Sequence, residues 1–263
     1  MLRTFLGLLL ALMTLISWAD STDPDRSLAS PWLLTPIVSS DPKVGTSGGL
    51  LAGYLYHFDE RSPTSTFGIT GSYSDTDSYV AALFGQIYFG ADRHRLSGGI
   101  ATGRIRNDYD DFLGSGLPVQ TTDDLRFAAA RYLYRLRGDW FVGMQLAATN
   151  YLISGDDWFS EQVIDVLGLT GFDSNGLGLV AQYDSRDYQN SPSSGTHFAI
   201  QNLAYRKGLG GDENFDTYGF RFNRYVGHGR GHVLAWRILA RVTDDAPPGA
   251  YSSVPLRGYV RGG

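Results

Sequence analysis

Residues 176–207 read GLGLVAQYDSRDYQNSPSSGTHFAIQNLAYRK. In an extended chain Leu177, Leu179, Ala181 and Tyr183 point to one side, while Gly176, Gly178, Gln182, Asp184 and Arg186 point to the other. Pro192 fixes one backbone angle, Gly195 allows positive φ, and the serines between them suit a tight reversal. The chain therefore turns there and returns from Thr196. The product is a hairpin with one apolar and one charged face, and where those faces point decides the fold.

The same period of two recurs on both sides of this hairpin. Leu50, Ala52, Tyr54, Tyr56 and Phe58 share a face after the Asp41-Pro42 and Gly48-Gly49 punctuation. Thr66–Tyr73 alternates Phe67, Ile69, Gly71 and Tyr73 against Thr66, Gly68, Thr70 and Ser72. Ser78–Phe89 and Arg95–Arg106 make the next pair around Ala91-Asp92-Arg93-His94, although glycines leave the facing of the second member open. Ala128, Ala130, Tyr132 and Tyr134 oppose Arg131 and Arg135 within Leu125–Leu136. Trp140, Val142, Met144, Leu146 and Ala148 follow the Gly138-Asp139 turn. Further on, Tyr218, Phe220 and Phe222 oppose Arg221, and Leu234, Trp236, Ile238, Ala240 and Val242 oppose Arg237 and Arg241. The exception is Asp157–Leu167, where near-helical spacing behind an acidic start predicts a short capped helix in a loop.

Composition agrees with many strands and turns: 33 glycines, 16 tyrosines, 14 phenylalanines and 5 tryptophans. A mean hydropathy of -0.17 is what alternating membrane strands average to. The absence of cysteine excludes disulfides and thiolate chemistry, and a net charge of -5 speaks against a nucleic-acid partner. Met1-Leu2-Arg3, the apolar run Phe5–Ile16 and Ser17-Trp18-Ala19 form an export signal with cleavage after Ala19. The expected divisions are a signal peptide at 1–19, a linker at 20–31 and a β-barrel domain at 32–263. Several strands approach the roughly 9–11 tilted residues that a bilayer demands, longer than those of a usual sandwich.

A lipid-facing arginine at mid-depth costs about 2–4 kcal/mol, so Arg131, Arg135, Arg221, Arg237 and Arg241 are expected to face a lumen. Export, aromatic strands and inward arginines converge on an all-β fold, an antiparallel transmembrane β-barrel in the bacterial outer membrane with lipid as its surroundings. The long connections Asp110–Thr122, Ser154–Asn175, Gly208–Asn214 and the segment after Asp244 are expected outside the cell. A chain arriving from the periplasm then needs one more outward crossing, which Trp32–Val38 supplies, for about eleven strands in all.

Tyr183-Asp184-Ser185-Arg186-Asp187 with Pro192 and Gly195, then Leu256-Arg257-Gly258-Tyr259 after two further strands, resemble the bacterial surface antigen family, the barrel of the BamA-like outer-membrane assembly and translocation superfamily. The resemblance covers about Val38–Gly263 and implies a barrel of about sixteen strands. It implies that the loop bearing Arg257, Gly258 and Tyr259 folds into the lumen, where Arg257 meets an acidic partner on a later strand. With that strand absent, the chain is expected to be a C-terminally incomplete barrel lacking roughly five closing strands, since open edges in lipid are not viable. Asp20–Pro31 cannot hold a periplasmic polypeptide-transport-associated domain, so an assembly role requires a separate periplasmic chain.

Asp184, Arg186, Asp187, Pro192 and Gly195 read as a structural hairpin motif whose charges pair with lumenal arginines, not as an acid/base or metal site. His228 and His232 are four apart, but in a glycine-rich turn rather than a helix, so no metal is expected. No catalytic constellation and no cofactor motif is present. Three functions stand: a translocation or insertion barrel, a passive porin whose arginines favour anions, and an outer-membrane enzyme with no sequence support beyond its location.

Overall fold

A computed structural model describes residues 30–41, 45–109, 116–166, 171–189, 191–229 and 231–247. Its strands are β1 (Trp32–Asp41), β2 (Gly45–Tyr56), β3 (Ser65–Ser74), β4 (Tyr79–Phe89), β5 (His94–Tyr109) and β6 (Val119–Arg137). They continue with β7 (Trp140–Gly155), β8 (Gly171–Asp184), β9 (Gly195–Tyr205), β10 (Phe215–His228) and β11 (His232–Asp244). All eleven lie in one antiparallel sheet in chain order. The ten strands read from alternation are present as consecutive neighbours, with the eleventh, inferred from the missing crossing, as β1. Among the described residues β1 and β11 are the two ends of the sheet and do not pair with each other.

Strand register assigns every side chain to one of two faces. Trp140 pairs with Tyr183, Met144 with Leu179 and Leu146 with Leu177; Tyr183 continues to Phe198 and Ala181 to Ile200. The other face carries Gln182, Asp184, His197, Gln145 and Phe141 by the same register. This second face is concave. Strands spaced by about 4.8 Å would put β5 and β8 about 14 Å apart in a flat sheet. Yet Arg95 of β5 donates from Nη1 to Asp184 Oδ2 of β8 at 2.7 Å, and Arg131 of β6 donates from Nη2 to Gln201 Oε1 of β9 at 2.5 Å. Side chains standing perpendicular to a flat sheet would run parallel, so convergence across three strands requires the wall to curl toward them.

The convex face is an apolar band with an aromatic border. At the end of the sheet holding the Gly138 turn, Trp140 lies 5.3 Å from Tyr183 and 6.3 Å from Phe198, and Phe198 lies 5.6 Å from Phe220. Phe89, His94 and Tyr134 continue the row, as do Trp32 and Tyr54 near the first edge. Amphipathic rings at one level are what a membrane–water interface selects. From that row, β7 presents Val142, Met144, Leu146 and Ala148 before Asn150, and β8 presents Ala181, Leu179 and Leu177 before Asn175 and Asp173. Outward ionised side chains resume only beyond the band, as in the Arg104–Asp124 pair at 2.7 Å.

Several strands outrun their expected ends. Gly48 and Gly49 lie inside β2, each with a register partner in β1 and in β3, rather than punctuating it. Val119–Thr122 belong to β6, and Gly171–Asn175 to β8, instead of to loops. At 19 residues β6 is about 60 Å long, well beyond the bilayer requirement. In these extensions the hydrophobic alternation stops while the ladder continues on polar pairs. Asn107 Nδ2 donating to Thr121 Oγ1 at 3.2 Å is one of these.

The predicted helix is present as α1 (Trp158–Val166). Asp157 Oδ1 caps it by accepting the Ser160 N–H at 2.9 Å, and Glu161 accepts the Gly155 N–H at 2.6 Å. Its Val163 packs on the buried pair Tyr109 and Val119, so the helix seats against the extended ends of β5 and β6.

Candidate functional site

The densest charged group lies on the concave face at the end with the Gly138 turn. Gly90, Ala91 and Asp92 all adopt positive φ, of 68°, 58° and 59°, which folds the Asp92 carboxylate back over β5. Arg95 donates to it from Nε at 2.8 Å and from Nη2 at 2.7 Å. Through its remaining Nη1, Arg95 reaches Asp184. Arg186 closes a second fork on Asp184, at 2.7 and 2.9 Å. Arg135 donates from Nη2 to Asp92 Oδ2 and from Nη1 to the Gly138 carbonyl.

Beneath these groups the ring of Phe141, fully buried with Leu133 and Val180, lies 3.8 Å from the Arg95 guanidinium carbon and 4.5 Å from that of Arg135. Forked guanidinium–carboxylate pairs over an aromatic face are strong and directional. Three arginines and two aspartates thus tie the β4–β5, β6–β7 and β8–β9 connections into one rim.

Asp187 builds the turn itself. Its carboxylate accepts the N–H groups of Tyr188 at 2.9 Å, Ser193 at 3.0 Å and Ser194 at 3.2 Å, as well as the Ser193 hydroxyl. Desolvation opposes ionisation there, but the Ser193 hydroxyl and the backbone donors outweigh it and hold the carboxyl down at about 2. Pro192 lies within the same reversal. Gly195 has φ of 105°, and a Cβ on it would stand 2.2 Å from the Ser185 carbonyl oxygen.

Halfway along β8 and β9 the ladder is interrupted without a change of register. Leu177 pairs with Ala204 and Val180 with Gln201, but Gly178 and Leu179 are not paired with Leu203 and Asn202. The Asn202 carbonyl is turned to the concave face, where Gln145 Nε2 donates to it at 2.8 Å. Leu179 N–H donates instead to Asn202 Oδ1 at 2.8 Å, so the asparagine side chain substitutes for its own backbone. A Cβ on Gly178 would lie 1.7 Å from that carbonyl oxygen; only glycine fits. Arg131 steadies Gln145 with bonds of 3.1 and 2.6 Å to Oε1.

Register puts Arg131, Arg135, Arg221, Arg237 and Arg241 all on the face of Asp184. The guanidinium partner of Asp184 across the sheet is nevertheless Arg95, which sequence reasoning missed because Gly98 and Gly99 blur the facing of β5; Arg135 goes to Asp92 instead. The Gly90-Ala91-Asp92 stretch just before Arg95, a turn sequence carrying a carboxylate, was the available signal. His228 and His232 are register partners at the mouth of the β10–β11 hairpin. Arg257, Gly258 and Tyr259 lie outside the described residues, as does the expected signal peptide at 1–19.

No protein-family model matches the chain, and no curated protein does. Among solved structures it is similar to BamA from Haemophilus ducreyi lacking POTRA domains 1-3, with 16% identity and a TM-score of 0.48. The likeness covers 82% of this chain and 41% of that one, so the chain spans less than half the length of that protein.

Proposed function

We propose that the chain forms the wall of a bacterial outer-membrane β-barrel and serves protein or lipid insertion or translocation together with a separate periplasmic chain. The observation that carries the membrane reading is the division of one curled sheet into a convex apolar band bordered by aromatics and a concave face holding the arginines and buried ion pairs. In a water-soluble protein that convex face would be a very large exposed apolar patch; in lipid it is the expected surface. The translocation reading rests on the Asp184–Gly195 hairpin and on Leu256-Arg257-Gly258-Tyr259, whose order resembles the surface antigen barrels. A second reading, a passive anion-preferring porin, is favoured by concave arginines without carboxylate partners.

Single-channel recording of the chain refolded into planar bilayers, with an Arg257→Ala variant, separates the two. Small, fluctuating conductance that rises in the variant is expected from a loop-plugged translocation barrel. Large, steady conductance insensitive to Arg257→Ala belongs to the porin and removes the translocation reading.

A further inference from the structure

We propose that Arg221, Arg237 and Arg241, with Arg131 beside them, form a binding site for a compact phosphate-bearing polyanion on the concave face. This rests on the reading of that face as a lumen. In β10 and β11, Gly219 pairs with Arg241, Arg221 with Leu239, and Asn223 with Arg237. Arg221 is therefore the diagonal same-face neighbour of both Arg237 and Arg241, about 7–8 Å away by Cα. Three guanidinium groups on adjoining strands of one face repel one another.

The fourth arginine arrives at the same row from across the wall. Arg131 bonds Gln201 at 2.5 Å, and Gln201 is the register partner of Gly219. A Cβ on Gly219 would already press the Gln201 side chain at 3.1 Å, so the missing side chain leaves the floor between Gln201 and Arg241 open.

What distinguishes these four from the rim is the absence of counter-charge. Every rim arginine has a carboxylate within ion-pair distance. Among the described residues none of Arg131, Arg221, Arg237 and Arg241 has one; Arg237 donates from Nε to Asn223 Oδ1 at 3.1 Å, and Arg131 uses two glutamines. Asp184, on the same face, is fully engaged by Arg95 and Arg186. Planar guanidinium forks match phosphate oxygens two at a time. A compact polyanion would relieve the repulsion and fill forks that have no internal acceptor, whereas a single carboxylate would serve one fork.

The test is calorimetric titration of the detergent-folded chain, its folding monitored by β-sheet circular dichroism, with sodium tripolyphosphate and separately with a short-chain phosphatidic acid. Saturable binding of tripolyphosphate is expected, weakened about tenfold or more by Arg221→Gln. Arg224→Gln, on the opposite face, should leave it within about twofold. Stronger binding of the phosphatidic acid, with the same dependence on Arg221, assigns the phosphate to a lipid headgroup and supports the site. A folded chain that binds neither, or equal loss in both variants, overturns the site alone. Equal access of a water-soluble nickel chelate to spin labels on the two faces of β8 overturns the barrel reading and the site with it.

Discussion

Asp184→Ala is expected to destabilise the folded chain by about 3–5 kcal/mol, the range for removing one partner of a buried ion pair. The carboxylate side chain is 2% exposed and is shared by Arg95, itself 9% exposed, and Arg186, 15% exposed. Without it, Arg95 keeps only Asp92, and Arg186 keeps only the Gln189 carbonyl at 2.8 Å. Arg186 is then left as a poorly solvated cation near Arg95, and the tie between the β4–β5 and β8–β9 connections is cut. Replacing the whole group, Arg95→Met and Arg186→Met with Asp184→Leu, should cost markedly less, because Asp92 keeps Arg135 and no unpaired charge is left behind. Urea unfolding in lipid vesicles, followed by tryptophan fluorescence, gives both values. A loss below about 1 kcal/mol for Asp184→Ala would mean that the rim pairs behave as solvated surface pairs.

Met144→Arg should be the second large effect, about 2–4 kcal/mol, because Met144 is at the middle of the outward band on β7. It stands between the Trp140 level and Asn150 and is 64% exposed, with Leu179 as its register partner. The same charge introduced by Gln86→Arg, on the concave face opposite Thr66 and Ser97, should cost about 1 kcal/mol or less. The comparison uses the same arginine on the two faces of one wall. Equal costs in the unfolding assay would contradict the assignment of the convex face to hydrocarbon.

How much of this was legible in the sequence depends on which physical constraint wrote each segment. Where the two faces of the sheet carry opposite chemistry on successive residues, as at Leu177–Asp184, Phe67–Tyr73 and Leu234–Val242, alternation alone identified strand and facing. The α1 helix was legible too, because its acidic cap and 3.6-residue spacing contrast with the period of two around it. Beyond the apolar band that contrast disappears, so the polar ends of β5–β8 read as loops although the ladder runs through them. Arg95 escaped notice for a related reason, its strand neighbours being glycines that mark no face. The turned peptide at Asn202 is a tertiary feature: it needs Gly178 on one strand, Asn202 on the next and Gln145 on a third, and no local pattern joins those positions.

The most direct measurement is spin-label accessibility along β8 in lipid bilayers, with single cysteines placed at each position from 176 to 183 except 178, where only glycine fits. The chain has no cysteine of its own, so each label reports one site. If β8 is a barrel wall strand, positions 177, 179, 181 and 183 will be accessible to oxygen dissolved in the bilayer and shielded from a water-soluble nickel chelate, with the even positions the reverse. Equal access of the chelate to both sets would contradict a membrane-spanning wall.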